Sequence, residues 1–158
     1  MVIDRSFFTR PHMQHTRSTI FFTLCISAAV AGAVAFMPDI AYAATKYWIG
    51  SAGGNFSDNA NWSTTSGSAC AANNNTTAPG SSDTAAFVSN CVNNATINSS
   101  ITVQHINIAS GYTGTITQSS GASITVNASN AGQGWSQTGG TFAGGDSAID
   151  LNDAYFQI

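Results

Sequence analysis

The chain has 158 residues, of which only 7% are Asp, Glu, Lys or Arg, against about 25% in an ordinary soluble domain. From Ala44 onward there is one cation, Lys46, and five aspartates, Asp58, Asp83, Asp146, Asp150 and Asp153. That balance excludes a nucleic-acid binder that works by neutralising phosphates, and it leaves no charged outer faces for long amphipathic helices.

The first element is a leader. Residues 1–17 are polar and carry Arg5, Arg10 and Arg17, residues 19–37 are almost wholly apolar, and Pro38 breaks any helix there. Ala41-Tyr42-Ala43 then places small residues at both positions a signal peptidase reads, which predicts a signal-peptide helix over 1–43 and cleavage between Ala43 and Ala44. About 18 apolar residues could also span a bilayer, but the proline and the Ala-x-Ala exit serve a peptidase. No twin arginine is present, so the expected route is general secretion and the expected location secreted or cell-surface. Membrane contact is then confined to the leader before cleavage.

Export gives the cysteines a meaning. Cys25 leaves with the leader, and Cys70 and Cys91 remain as an even pair in an oxidising compartment, so a disulfide is predicted. It would close a polar, turn-rich loop containing Asn73-Asn74-Asn75 and Pro79-Gly80, and contribute roughly 3 kcal/mol by restricting the unfolded chain. Free thiols or half of a metal site are the alternative, but two cysteines and His105 are too few ligands for zinc.

Residues 44–95 are predicted to form an N-terminal cap. Tyr47-Trp48-Ile49-Gly50 reads as a strand, Gly53-Gly54-Asn55-Phe56 as a turn, Asn61-Trp62-Ser63 as a second element, and Pro79 to Phe87 as a turn leading into a strand. Over residues 96–158, short alternating runs follow: Ile101-Thr-Val103, Ile106-Asn-Ile108, Thr115-Ile116-Thr117, Ile124-Thr-Val126 and Ile149-Asp-Leu151. Each puts its apolar side chains on one strand face, with Gly, Asn and Ser corners between them, so the chain is predicted to be all-β. Ile106-Asn-Ile108 recurs at Ile124 and again at Ile149, a loose step of roughly 20–25 residues that predicts a β-solenoid. A β-sandwich built from similar short strands is the alternative.

The series Trp48-x-Gly50-x-x-Gly53-Gly54-Asn55-Phe56 to Asn61-Trp62, then Pro79-Gly80-x-x-Asp83-Thr84-Ala85-x-Phe87, resembles the start of bacterial autotransporter-like, adhesin-like surface proteins. The later ladders and Gly139-Gly140-Thr141-Phe142 are similar to their passenger repeats. The resemblance covers about residues 46–156 and implies a right-handed parallel β-helix displayed outside the cell as an adhesin. Such proteins continue into more repeats and a barrel or sorting signal, so the repeats here read as truncated at Phe156-Gln157-Ile158.

No catalytic, metal or cofactor residues stand out. His105 has no acid–nucleophile frame around it, and no serine lies in a Gly-x-Ser-x-Gly elbow. Gly144-Gly145-Asp146, Asp150 and Asn152-Asp153 supply oxygens near a turn, but they match neither an EF-hand nor a calcium-binding nonapeptide. Trp48, Trp62 and Trp135 could present stacking platforms for sugar rings, or could be core. The expected function is therefore non-enzymatic: an exported structural or adhesin-like protein contacting extracellular glycans or the surfaces of a host or neighbour. A carbohydrate-binding module using those tryptophans, or a fragment of a polysaccharide-active β-helix enzyme, are the alternatives.

Overall fold

A computed structural model describes residues 43–128 and 134–158. The predicted leader, apart from its exit at Ala43 and Ala44, lies outside the described residues. Among the described residues thirteen short strands follow one another. They are β1 (Thr45–Trp48), β2 (Gly54–Asn55), β3 (Trp62–Ser63), β4 (Thr84–Phe87), β5 (Ala95–Ile97), β6 (Ile101–Val103), β7 (His105–Ile108), β8 (Thr115–Gln118), β9 (Ile124–Asn127), β10 (Gly134–Gln137), β11 (Thr141–Ala143), β12 (Ile149–Asn152) and β13 (Tyr155–Gln157). A 3₁₀ turn, Asn59–Asn61, precedes β3; Asp58 caps it by accepting from the Ala60 amide at 2.9 Å.

The strands sort into three sheets, and from β4 onward each strand pairs with the one three places further on. One sheet runs β13-β10-β7-β4-β1-β3, the second β11-β8-β5-β2 and the third β12-β9-β6. Every pairing is parallel except that of β1 with β3. A sandwich of antiparallel sheets would require the opposite, so the sequence alternative does not describe this chain. The β1–β3 pair matches Trp48 with Trp62 and closes the first edge of the largest sheet.

Register puts like residues above one another. Ile101, Ile124 and Ile149 form one column and Val103, Val126 and Leu151 another, while Ala95, Ile116 and Phe142 form a third. These inner positions are buried in the middle rungs, with Ile116 at 1% and Ile124 at 0% exposure. Thr102, Thr125 and Asp150 occupy the outer column between the first two. The inner surface also takes Gln118, which donates from Nε2 to the Ala122 carbonyl at 2.7 Å and accepts the Gly145 amide on Oε1 at 3.1 Å. That buried amide is fully used, as an interior polar group must be.

The expected repeat is half right in its register. Ile124 does pair with Ile149, and Thr115 with Thr141. Ile106-Asn-Ile108, however, stacks between Ala85 and Trp135 in a different sheet, and the run beneath Ile124-Thr-Val126 is Ile101-Thr-Val103. The two isoleucine runs look alike because every inward face here selects the same residues, whichever sheet it belongs to. The stretches 44–95 and 96–158 also share their ladders: β1, β2, β4 and β5 are members of the same sheets as the later strands. Corners need small residues for close approach. A Cβ on Gly139 would sit 2.3 Å from the Ala109 carbonyl oxygen, and Gly140 turns with φ +59° against the Tyr112 ring.

Candidate functional site

Trp48 and Trp62, two of the tryptophans that the sequence singled out, meet beside the first strands, whereas Trp135 lies on β10 among other rings. Trp48 and Trp62 are fully buried and Trp135 is 2% exposed. The Trp62 ring packs edge-on against Trp48, Phe56 and Phe87 at centroid distances of 5.3, 4.7 and 5.6 Å. Its indole N–H donates to the Phe56 carbonyl at 2.7 Å, and that of Trp48 to the Asn93 carbonyl at 3.0 Å. Trp135 packs edge-on against Phe142 at 4.8 Å and bonds Gln137 at 3.3 Å. The sugar-stacking reading of Trp48, Trp62 and Trp135 is corrected accordingly: a platform needs an exposed ring face, and all three spend theirs on the core.

The spacing Trp48-x-Gly50 also acquires a reason. A Cβ on Gly50 would lie 2.3 Å from Trp48 Cζ2, so the indole folds flat over a residue that must have no side chain. The freed Gly50 carbonyl accepts from Asn93 Nδ2 at 3.0 Å. Beside it lies the predicted disulfide: Cys70 and Cys91 are bonded, and Cys91 is 1% exposed. The bridge ties the loop after β3 to the rung that holds Asn93. Tyr112, which sequence reasoning gives no cause to select, completes the cluster. It packs on Phe87 at 5.4 Å and donates to the Asn93 carbonyl at 2.8 Å, and burial pushes its phenol up to about 12.

A polar cluster sits at the start of β1. Lys46 is 7% exposed, and its ammonium reaches the Thr77 carbonyl at 3.1 Å, the Thr77 hydroxyl, and Asp83 Oδ2 at 3.4 Å. Asp83 also accepts the Gly80 amide on Oδ2 at 2.9 Å and the Ala44 amide on Oδ1 at 3.1 Å. Burial alone would raise the Asp83 carboxyl, but the Gly80 and Ala44 hydrogen bonds and the Lys46 charge outweigh it and hold the group below its ordinary 3.8. The sequence signal for this cluster was available in Lys46 itself, the one Lys or Arg from Ala44 onward.

The remaining candidates stand apart. His105 lies on β7, its Nε2 buried without a hydrogen-bond partner, and burial lowers its pKa below 6.5. It borders a groove of about 350 Å³ formed with Trp135, Ser136, Tyr155, Phe156 and Gln157. Asp146 is exposed and held below the usual carboxylate value first by a hydrogen bond from Ser120 at 3.0 Å. Asp150 lies on β12, and Asp153 follows that strand with φ 53°. Among the described residues no group of three or more His, Cys, Asp or Glu could hold a metal ion. Nor does any described helix have the length and apolarity to cross a membrane.

Fold and site together define an all-β protein of parallel sheets with an aromatic, disulfide-tied first rung. Comparison of the chain with protein-family models, curated proteins and solved structures returns no match.

Proposed function

We propose that this chain is an exported β-solenoid, a right-handed parallel β-helix, that acts at the cell surface as a structural or adhesin-like protein. The observation that carries the reading is the pairing of each strand from β4 onward with the one three places further on, in parallel register, with apolar columns inside. Three strands per rung, repeated, is the geometry of a chain wound about an axis, and parallel crossovers in one sheet are overwhelmingly right-handed. The Cys70–Cys91 bridge supports an oxidising, extracytoplasmic setting, and the leader supports the route there. The resemblance of the Trp48 to Phe87 blocks to autotransporter-like passengers points to the same class.

In this reading the outward residues do the work. Thr102 stacks on Thr125 in one sheet and Thr117 on Thr96 in another, each at one strand spacing of about 4.8 Å, and these outer positions present uncharged hydroxyls to extracellular glycans or to surface molecules of a host or neighbour. Single contacts of that kind are weak, and repetition along the face makes them additive through multivalency. No reaction is assigned to the chain. The test is binding of the exported, processed protein to glycan arrays and to cell surfaces, with Thr102→Lys and Thr117→Lys as probes on two faces. Binding that either substitution lowers at least tenfold while the fold persists supports the proposal. Absence of binding on every surface, or binding indifferent to both faces, overturns it.

A further inference from the structure

Asp83 divides its two oxygens between two donors in a way that bears on the leader. Oδ2 faces the Lys46 ammonium, and Oδ1 accepts from the backbone nitrogen of Ala44, the residue that follows the predicted cleavage bond. The Ala44 carbonyl accepts from the Thr84 amide at 2.9 Å, so this nitrogen is held in place beside β4 on both sides of its residue. Ala43, immediately before it, is exposed.

We propose that Asp83 is the binding site for the α-ammonium group of the processed chain, so that cleavage between Ala43 and Ala44 latches the first strand onto the fold. This rests on the reading of residues 1–43 as a cleaved leader. Hydrolysis by a signal peptidase adds one water across the bond. The oxygen goes to the Ala43 carbonyl carbon as a carboxylate, and the Ala44 nitrogen becomes –NH3+. A neutral amide donor at 3.1 Å from Oδ1 is thereby replaced by a cation on the same atom, and Asp83 sits between two positive groups. Charge-assisted bonds of this kind are roughly twice as strong as neutral ones. Before cleavage the precursor offers Asp83 only the neutral amide donor, so the charge-assisted form of the contact arises only after the leader is removed.

The charged and titratable groups around the latch are Lys46 on β1, Asp83 on the approach to β4, and His105 on β7, which pairs in register with Thr84. The signs are opposite for the two partners of the new pair. The α-amine, raised by its anion, stabilises the fold fully below its unfolded value of about 7.7–8.0, and that contribution is lost as pH rises through the folded value. Asp83, held low, contributes above 3.8 and loses its share as pH falls.

The experiment begins with the exported protein and the mass and sequence of its N-terminus. Ala44 is expected first. The pH dependence of α-amine acetylation then gives its pKa, expected about one unit above the ordinary range, a roughly tenfold tighter hold on the proton. Asp83→Asn returns it to the ordinary range. A second variant inserts Gly-Ser between Ala43 and Ala44, which moves the ammonium away but keeps Asp83, Lys46 and His105. Its melting temperature should fall below the parent's at pH 7 and equal it at pH 10. A first residue other than Ala44 overturns the leader reading and the latch together. An Ala44 terminus whose amine titrates in the ordinary range, or an insertion variant that matches the parent at both pH values, overturns the latch alone.

Discussion

Replacing Trp62 by alanine separates a core role from a surface role, and the structure sets the size of the effect. The side chain is fully buried, touches three other aromatic rings, and donates its indole N–H to the Phe56 carbonyl at 2.7 Å. Removing a buried Trp costs about 3–5 kcal/mol through lost transfer energy and the cavity left behind. Edge-on ring contacts add about 0.5–1.5 kcal/mol each beyond the area term, so the upper half of that range is expected, about 4–5 kcal/mol. Phenylalanine keeps most of the ring area but leaves the Phe56 carbonyl without its donor, and should cost about 2 kcal/mol. Denaturant unfolding followed by far-UV circular dichroism measures both. For a domain of this size the alanine change corresponds to a drop in Tm of very roughly 15 °C. An exposed platform residue would change stability by less than about 0.5 kcal/mol. A Trp62→Ala variant that loses under about 1 kcal/mol therefore refutes the packing argument.

Two further outcomes follow from the same rungs. Changing Cys70 and Cys91 together to alanine should lower unfolding free energy by about 3 kcal/mol, since the bridge spans a separation of 21 residues; an unaltered denaturant midpoint would show that the loop is held by other contacts. His105, with a folded pKa below 6.5, favours its neutral form when folded, so stability is complete above 6.5 and declines as pH falls from there toward the folded value. Comparing unfolding at pH 7.5 and pH 5.5 checks it, and His105→Gln should flatten the difference; a variant with an unchanged pH profile would mean that the imidazole reaches water.

Alternation made the strands legible, because two faces of a pleated chain impose a two-residue period wherever one face is buried. Ile101-Thr-Val103, Ile124-Thr-Val126 and Ile149-Asp-Leu151 all lie in strands with that phase. Which strand lies on which was less legible. Inward positions of all three sheets draw on the same few side chains, so Ile106-Asn-Ile108 resembles a run with which it does not pair. The disulfide was readable from the cysteine count and the expectation of export. The aromatic cluster was not, since a tryptophan among glycines and asparagines looks the same in sequence whether its ring faces solvent or, as at Trp48, folds over Gly50. The Ala44–Asp83–Lys46 cluster joins residues 39 positions apart through a turn and a strand pairing, and no local pattern announces it.

The scarcity of charge now has a structural cause. In parallel in-register ladders each outer residue sits about 4.8 Å from its counterpart on the next rung, at the spacing where like charges directly opposed are destabilising. The outer columns avoid that. Asp150 stacks on Thr125 and Thr102 and meets no second carboxylate there, and Asn152 donates to Asn127 at 2.9 Å, a like-on-like pair that only a neutral amide permits. The acids that remain fall outside the columns or are spent at their ends: Asp58 caps the 3₁₀ turn before β3, and Asp146 accepts from Ser120 across a corner. Lys46, the one Lys or Arg from Ala44 onward, is paired with Asp83. A repeat that stacks like upon like must take its outer surface from Thr, Ser and Asn. The same rule that strips the surface of charge leaves hydroxyl and amide groups on its outer faces.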